Sequence, residues 1–203
     1  MTKEEFKTLV KKHVINYWEQ KLRAEASVLS SLTHFKPAFM SLTRPHRIYL
    51  TAGASPYEVT KACIQGVFLS GRYRTELLCR HWSSNTEGYC QLPLCSGMGF
   101  VEDIDHIFIH CNSLSLTRER LSMFTHKYAM NVPSLSSCIL RLTTPNHPLY
   151  TQFLIDCSTI PEVICLAQQL GEYVYDHFFK ISRTWCYSLH RERLRLLGRW
   201  STQ

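Results

Sequence analysis

The sequence has no long apolar run, and this excludes several classes of protein. No stretch of about 18 apolar residues occurs, so a membrane-spanning helix is not expected. The first residues, MTKEEFKTLVKKHVINYWEQ, are charged throughout, so no secretory signal peptide is predicted. Period-two alternation, internal repeats and low-complexity tracts are scarce or missing. We therefore expect a mainly α-helical fold without a membrane partner.

The composition favours a folded chain with a polyanionic partner. Of the 203 residues, 45% are hydrophobic and 12% aromatic, which is enough for a core. The formal net charge of +7 is compatible with RNA or DNA binding but does not require it. The nine cysteines are odd in number, so reduced thiols in an intracellular compartment, nucleus or cytoplasm, are a better expectation than a disulfide framework.

Hydrophobic spacing places the helices and suggests three segments. Residues 4–26 repeat apolar side chains at helical spacing, which predicts an amphipathic helix with a core-facing stripe of Phe6, Leu9, Val10, Val14, Tyr17, Trp18 and Leu22. Residues 72–82 and 115–127 also have helical periodicity. The segments are 1–54, an N-terminal helix and connection; 55–127, which contains a Cys/His cluster; and 128–203, a C-terminal helical extension with a basic tail.

Two short phrases predict helix starts. In SPYE at 55–58, Ser55 can cap, the proline fits the first turn, and the acid lies at the capping-box position. TIPE at 159–162 repeats this pattern with Thr159 as the cap. Helical periodicity then continues to about residue 197, with a break predicted near Lys180.

Three cysteines and one histidine form a C-x4-C-x10-H-x4-C pattern, made by Cys90, Cys95, His106 and Cys111. Zinc is held by four nitrogen or sulfur ligands at tetrahedral angles, and two close pairs joined by a loop can supply them. Pro93 favours a tight turn within the first pair. The pattern predicts a small Cys3His zinc-knuckle-like insertion between helices. The alternative is a set of buried cysteines beside an ordinary histidine.

The second ligand pair requires a change in the helix. In a continuous α-helix, residues five apart point about 140° apart, so His106 and Cys111 meet only if the chain turns between them. His110 is the substitute ligand, because it shares a helical face with His106. Cys79 and His81 are more distant substitutes.

The predicted site has no open position for chemistry. Four protein ligands leave no metal-bound water, so the zinc would be structural. Asp103 or Asp105 is a candidate to orient the His106 ring, or else forms an acidic first helical turn. Acid/base catalysis by these carboxylates, or a Cys–His nucleophile, lacks a second catalytic cluster. We expect neither catalysis nor a small-molecule substrate.

Arginines flank the cluster and fill the C-terminal end, where aromatic residues alternate with them. Arginine binds phosphate in bidentate fashion, and aromatic rings stack on unpaired bases. The alternative is an amphipathic helix whose Leu/Trp face packs on the core with its arginines outward. The aromatic candidates are Trp185, Tyr187 and Trp200. The candidate nucleic-acid-binding residues are Arg72, Arg74, Arg80, Arg118, Arg120, Arg191, Arg193, Arg195 and Arg199.

Three phrases, GVFLSGRYRTELLCRHW, YCQLPLC and EDIDHIFIHCNSLSLTRERL, together resemble the zinc-binding region that follows the polymerase in non-LTR retrotransposon reverse transcriptases. The ending SLHRERLRLLGRW is also similar to the tail of such elements. The likeness covers about residues 45–125. Its matching positions are Leu69, Gly71, Tyr73, Cys90, Cys95, Glu102, Asp103, His106, Cys111 and Arg118.

The resemblance implies zinc binding and a non-catalytic role in holding template RNA or target DNA. The chain departs from a whole reverse transcriptase, because it has no Tyr-x-Asp-Asp phrase; YVYDH at 173–177 has a single aspartate. The parent polymerase is therefore expected to be absent from this chain. The other hypotheses are a structural or protein-interaction helical module with a structural zinc, and a metal-dependent nuclease or transferase.

Overall fold

The computed structural model describes residues 1–29, 32–39 and 43–199. This part of the chain is mainly α-helical and contains no β-strand, as the sequence predicted. The α-helices are α1 Lys3–Val28, α2 Arg47–Leu50, α3 Pro56–Leu69, α4 Glu76–Arg80, α5 Ser115–Met130, α6 Pro133–Leu142, α7 Tyr150–Ile155, α8 Pro161–Leu170 and α9 Tyr173–Leu196. Short 3₁₀ turns occur at Pro37–Phe39, Asn112–Leu114 and Cys157–Thr159, and a π turn at His106–His110.

Helix α9 is the centre of the packing. It contacts α3, α5, α7 and α8, and its inward face buries Phe178, Phe179, Trp185 and Leu189. The connected core includes residues from Ile48 to Leu189, so the 55–127 and 128–203 segments both contribute to it. No described helix is long and apolar enough to cross a membrane.

The predicted helix starts are correct in position but not in capping. Helix α3 begins at Pro56, yet Ser55 makes no side-chain capping bond, and Glu58 instead pairs with Lys61 at 2.7 Å. Helix α8 begins at Pro161 with Ile160 as its N-cap. The predicted cap, Thr159, lies in the preceding 3₁₀ turn and donates its hydroxyl to the carbonyl of Asp156.

Two further helix predictions, a break near Lys180 and a helix over residues 72–82, differ from the structure. The break predicted near Lys180 is wrong, because α9 runs unbroken through that residue. The chain breaks instead at Gly171, whose φ of 107° is accessible to glycine and unfavourable for other residues. The stretch 72–82 is helical only at Glu76–Arg80, where the Thr75 hydroxyl accepts from the N–H of Leu78.

Helix α1 has the predicted extent but does not face the core. None of its residues is buried, and Phe6, Tyr17 and Trp18 are each about half exposed. Within the described residues, its main packing partner is the short turn at Pro37–Phe39. The prediction of a core-facing stripe is therefore wrong, because the core is completed by α3 and α5–α9 without this helix.

Candidate metal centre and its basic surroundings

A tight loop carries the first two cysteines. Its base is closed by an antiparallel bridge between Tyr89 and Val101 and by the N–H of Cys90, which donates to Phe100 at 2.8 Å. The N–H of Cys95 donates to Leu92 at 2.8 Å, which folds the chain between the two thiols into a turn. The return of the chain depends on glycines 97 and 99, with φ of 79° and 72°. This loop directs both thiols inward.

The second pair meets because the helix is locally widened. Residues His106–His110 form a π turn, and the N–H of Cys111 donates to the carbonyl of His106 at 2.6 Å. An i to i+5 hydrogen bond closes the turn one residue later than in an α-helix. Cys111 itself then leaves the helix with extended backbone angles. His106 and Cys111 therefore reach the same point, which a regular α-helix would prevent.

The four predicted ligand residues converge. One ligand atom from each of Cys90, Cys95, His106 and Cys111 lies within 4.8 Å of all the others, and the four side chains are buried. The Sγ atoms of Cys95 and Cys111 are 3.7 Å apart. Two thiolates at about 2.3 Å from a tetrahedral zinc would be separated by about 3.8 Å. A disulfide would need about 2.05 Å, so the two thiols are not bonded to each other, and their spacing matches that of two ligands of one ion.

The electrostatics of the cluster also suit a cation. The Nε2 atom of His106 is buried and has no hydrogen-bond partner among the described residues. The Cys90 side chain hydrogen-bonds to Cys111 and lowers the pKa of that thiol, while the same bond and burial raise the pKa of Cys90. A thiolate is thus stabilised beside an unpaired imidazole nitrogen. The residues fit a metal ion that accepts sulfur and nitrogen ligands.

The alternative ligands lie outside the cluster. His110 is exposed, and neither Cys79 nor His81 joins the four residues. The proposed orientation of the His106 ring is also not observed, because Asp103 accepts from the backbone N–H of His106 at 2.7 Å. Asp105 accepts from the hydroxyl of Thr151 instead. The acidic phrase therefore starts the turn and does not support the imidazole.

A buried ion pair beside the cluster was not predicted. The fully buried carboxylate of Glu102 accepts from Arg193 at 3.0 Å and 2.7 Å, and from the backbone N–H of Glu76 at 2.7 Å. Its Oε1 lies 3.8 Å from the Sγ of Cys90. The expectation that Arg193 faces outward is wrong, because it continues the buried stripe of Leu189 at a spacing of four residues. The spacing of four residues from Leu189 was therefore a signal in the sequence that Arg193 lies on the buried face.

The other predicted arginines differ in exposure. Arg118 is half-buried, and burial lowers its pKa. Arg195 is exposed and pairs with Glu192 at 2.6 Å. The remaining exposed candidates are Arg72, Arg74, Arg80, Arg120, Arg191 and Arg199.

Several of the exposed arginines lie near the C-terminal end of α9. Hydrogen bonding from Arg195 lowers the pKa of Glu192, and the charges of Arg120 and Arg191 lower it further, so these three arginines surround one acid. Arg72 and Arg74 lie on either side of Tyr73 in the chain.

Tyr73 connects the two groups of arginines. It is buried, with its hydroxyl 3.2 Å from the ring of His190. The segment that carries Arg72 and Arg74 is therefore anchored to the same end of α9 as the other arginines. Burial raises the pKa of Tyr73 to about 12.

The aromatic candidates on α9 do not offer a stacking surface. Trp185 is 2% exposed, and its indole N–H donates to the hydroxyl of Thr125 at 2.9 Å. Tyr187 packs edge-on against Tyr57, and Trp200 lies outside the described residues. Exposed rings occur instead at Phe100, which is 44% exposed and stacks on His106, and at Trp82, which is 66% exposed and lines a cleft with Asp103 and Asp105.

Comparison with protein-family models, with curated proteins and with solved structures finds no match for this chain.

Proposed function

We propose that Cys90, Cys95, His106 and Cys111 hold one Zn²⁺ in a structural site. The observation that supports this most directly is the convergence of their four ligand atoms within 4.8 Å, with the Cys95 and Cys111 sulfurs 3.7 Å apart. A closed site of four ligands contributes folding free energy and leaves no position for an activated water. The zinc would therefore clamp the loop to the start of α5 without performing chemistry.

We further propose that the zinc-clamped domain binds RNA or single-stranded DNA and is not an enzyme. The support is the group of exposed arginines around the end of α9, together with exposed rings beside the cluster. Arg80 lies against Gly88, the residue before Tyr89, so the positively charged side chain of Arg80 lies near the aromatic residue Tyr89. Such a surface binds phosphates and stacks bases with little sequence preference.

The residues that resemble the zinc-binding tail of non-LTR retrotransposon reverse transcriptases agree with this proposal. In that interpretation the chain supplies the nucleic-acid-holding part and none of the polymerase. The role would be to hold template RNA or target DNA.

A salt titration tests nucleic-acid binding. We expect the log affinity for a fluorescent single-stranded RNA or DNA to fall linearly with log salt, with a slope of about −0.7 per neutralised phosphate. Changing Arg191, Arg195 and Arg199 to Gln should reduce the slope by up to about 2. The matched control removes three exposed charges from α1, by changing Lys11, Lys12 and Arg23 to Gln. Absent or salt-independent binding would overturn the proposal, and cleavage of the probe with Mg²⁺ would overturn its non-catalytic part.

A second candidate is a protein-interaction module. The specific observation in its favour is the apolar surface of α1, where Phe6, Val14 and Tyr17 are half exposed. In that case the arginines would serve only to keep the surface charged. A partner captured through α1, with no affinity for nucleic acid, would favour this second function.

A further inference from the structure

We propose that metal binding and the position of the arginine-bearing end of α9 are linked through the buried pair Glu102–Arg193. The inference rests on the proposed function, because it states how metal binding controls the position of the arginines that would bind nucleic acid. Glu102 is placed to carry this link, because it lies between the two ligand pairs in the chain and pairs with Arg193 of α9.

Glu102 joins three parts of the chain at one buried point. It follows the bridge that closes the cysteine loop and precedes His106 by four residues, so it lies between the two ligand pairs. Its backbone N–H donates to Gly88, and its carbonyl accepts from Leu77. Its carboxylate receives Arg193 from α9 and the N–H of Glu76 from α4. A shift of the ligand loop therefore displaces a partner of α9.

The end of α9 contacts several residues near the cluster. Arg193 is 2% exposed and also lies 3.8 Å from the carboxylate of Glu76. One turn earlier, His190 contacts Tyr73, and the helix also packs on the turn at Asn112–Leu114, which directly follows the last ligand. Of these partners, Glu102 lies between the ligand pairs, the turn at Asn112–Leu114 adjoins the last ligand, and Glu76 is itself bonded to Glu102. The last turns of α9 thus depend on the shape of the cluster region.

Because Glu102 and Arg193 are both charged and buried, their contact is either closed or opened to water. A buried carboxylate is costly unless it is paired and hydrogen-bonded, and the bidentate guanidinium of Arg193 supplies both. If the loop loosens, Glu102 and Arg193 separate, and both gain by returning to water. With the ion bound, the ligands fix Glu102 on both sides, Arg191 and Arg195 are presented on a rigid helix, and Arg199 follows two residues after its C-cap.

The experiment uses the full chain with Zn²⁺ or with a chelator in excess. In the wild type, we expect amide hydrogen exchange in residues 187–199 to slow at least tenfold when Zn²⁺ is bound. Arg193→Met should remove most of that difference and lower Zn²⁺ affinity about 10- to 100-fold, the usual effect of losing a residue that supports metal ligands. Arg193→Lys keeps the positive charge but loses the bidentate guanidinium, and should give an intermediate loss of both the exchange difference and the Zn²⁺ affinity.

The matched control is the second buried arginine of α9. Arg183 is 3% exposed and pairs with Glu58 near the middle of α9, ten residues before Arg193, so Arg183→Met should destabilise the fold while leaving Zn²⁺ affinity within about threefold of the wild type. If Arg193→Met does not fold, Arg193→Lys decides the question. A wild type that binds no metal defeats the proposed function itself. Metal binding with exchange at 187–199 unchanged, or with equal affinities in the Arg193 and Arg183 variants, overturns this inference alone.

Discussion

The N–H of Cys111 donates to the carbonyl of His106 across 2.6 Å, and this one bond decides which residues can share an ion. It closes a π turn, which brings side chains five apart to the same side of the chain. His110, at the α-helical spacing of four, is turned outward to solvent. Single-turn π bulges are often found at functional sites, and here the bulge completes the ligand set.

The first prediction is that His106 and His110 differ sharply in their effect on metal binding. We expect His106→Ala to reduce Zn²⁺ affinity by more than about 100-fold and to lower the midpoint of thermal unfolding, because a structural zinc contributes directly to folding. His110→Ala is the matched control and should leave both unchanged, because its ring is exposed. Affinity is measured by chelator competition, and stoichiometry by elemental analysis. A stoichiometry far from one ion per chain, or equal effects of the two variants, would contradict the prediction.

The cluster could be predicted from sequence because its signal is local. Four ligand residues within 22 residues, separated by a turn, leave few ways to fold, and the structure brings the same four together. The π turn could not be predicted, since an i to i+5 bond leaves no distinct residue pattern. The glycine break at Gly171 was a signal that helical periodicity concealed.

Long-range partners could not be predicted. Arg193 meets Glu102 across 91 residues, and Gln65, which is fully buried, donates to the carbonyl of Ile155 across 90 residues. Periodicity can indicate that Arg193 lies on the buried face of α9, but the partner that offsets the cost of burying an arginine or a glutamine is distant in sequence. The exposure of α1 has the same origin, because periodicity shows which face is apolar but not what covers it.

The second prediction concerns Trp185, which the structure places in the core. We expect Trp185→Ala to cost about 3–5 kcal/mol of unfolding free energy, because it leaves a large cavity. Thr125→Val, which removes only the acceptor of the indole N–H, should cost about 1–3 kcal/mol. Urea unfolding followed by circular dichroism measures both. A cost below about 1 kcal/mol for Trp185→Ala would show that the residue is not packed as described.

The third prediction is that exposed rings near the cluster, and not those of α9, contact unpaired bases. Trp82 is 66% exposed and lines one surface cleft with Asp103 and Ile104, which lie in the chain between the two ligand pairs. Trp82→Ala should weaken binding of single-stranded nucleic acid by about 1–3 kcal/mol, the usual value of one base–aromatic stack. Trp18→Ala, on α1, removes another exposed indole ring, 46% exposed, and should have no effect. Equal losses in the two variants, measured by fluorescence anisotropy, would contradict a specific stacking site.

The fourth prediction is a loss of stability in mild acid that depends on His190. Burial lowers the pKa of His190, and the charge of Arg193 lowers it further. The unfolded chain therefore binds a proton near the ordinary pKa of about 6.5, whereas the folded chain binds it only at lower pH. The stability that this group contributes is fully present above about pH 6.5, the pKa in the unfolded chain, and is lost as the pH falls from there towards the pKa in the folded chain.

A comparison of the wild type with a His190 variant separates this contribution from the other effects of acid. Acid also protonates the cysteine and histidine ligands, and burial lowers the pKa of His34 as well, so the slope for the wild type alone does not report on His190. We expect His190→Gln, which keeps an acceptor for the Tyr73 hydroxyl, to show a shallower fall in unfolding free energy between about pH 7 and pH 5. Urea unfolding at stepped pH measures the slopes, and NMR of the imidazole ring measures the pKa of His190 directly. Parallel slopes, or a ring that titrates at or above about 6.5, would show that His190 is not held neutral by its surroundings.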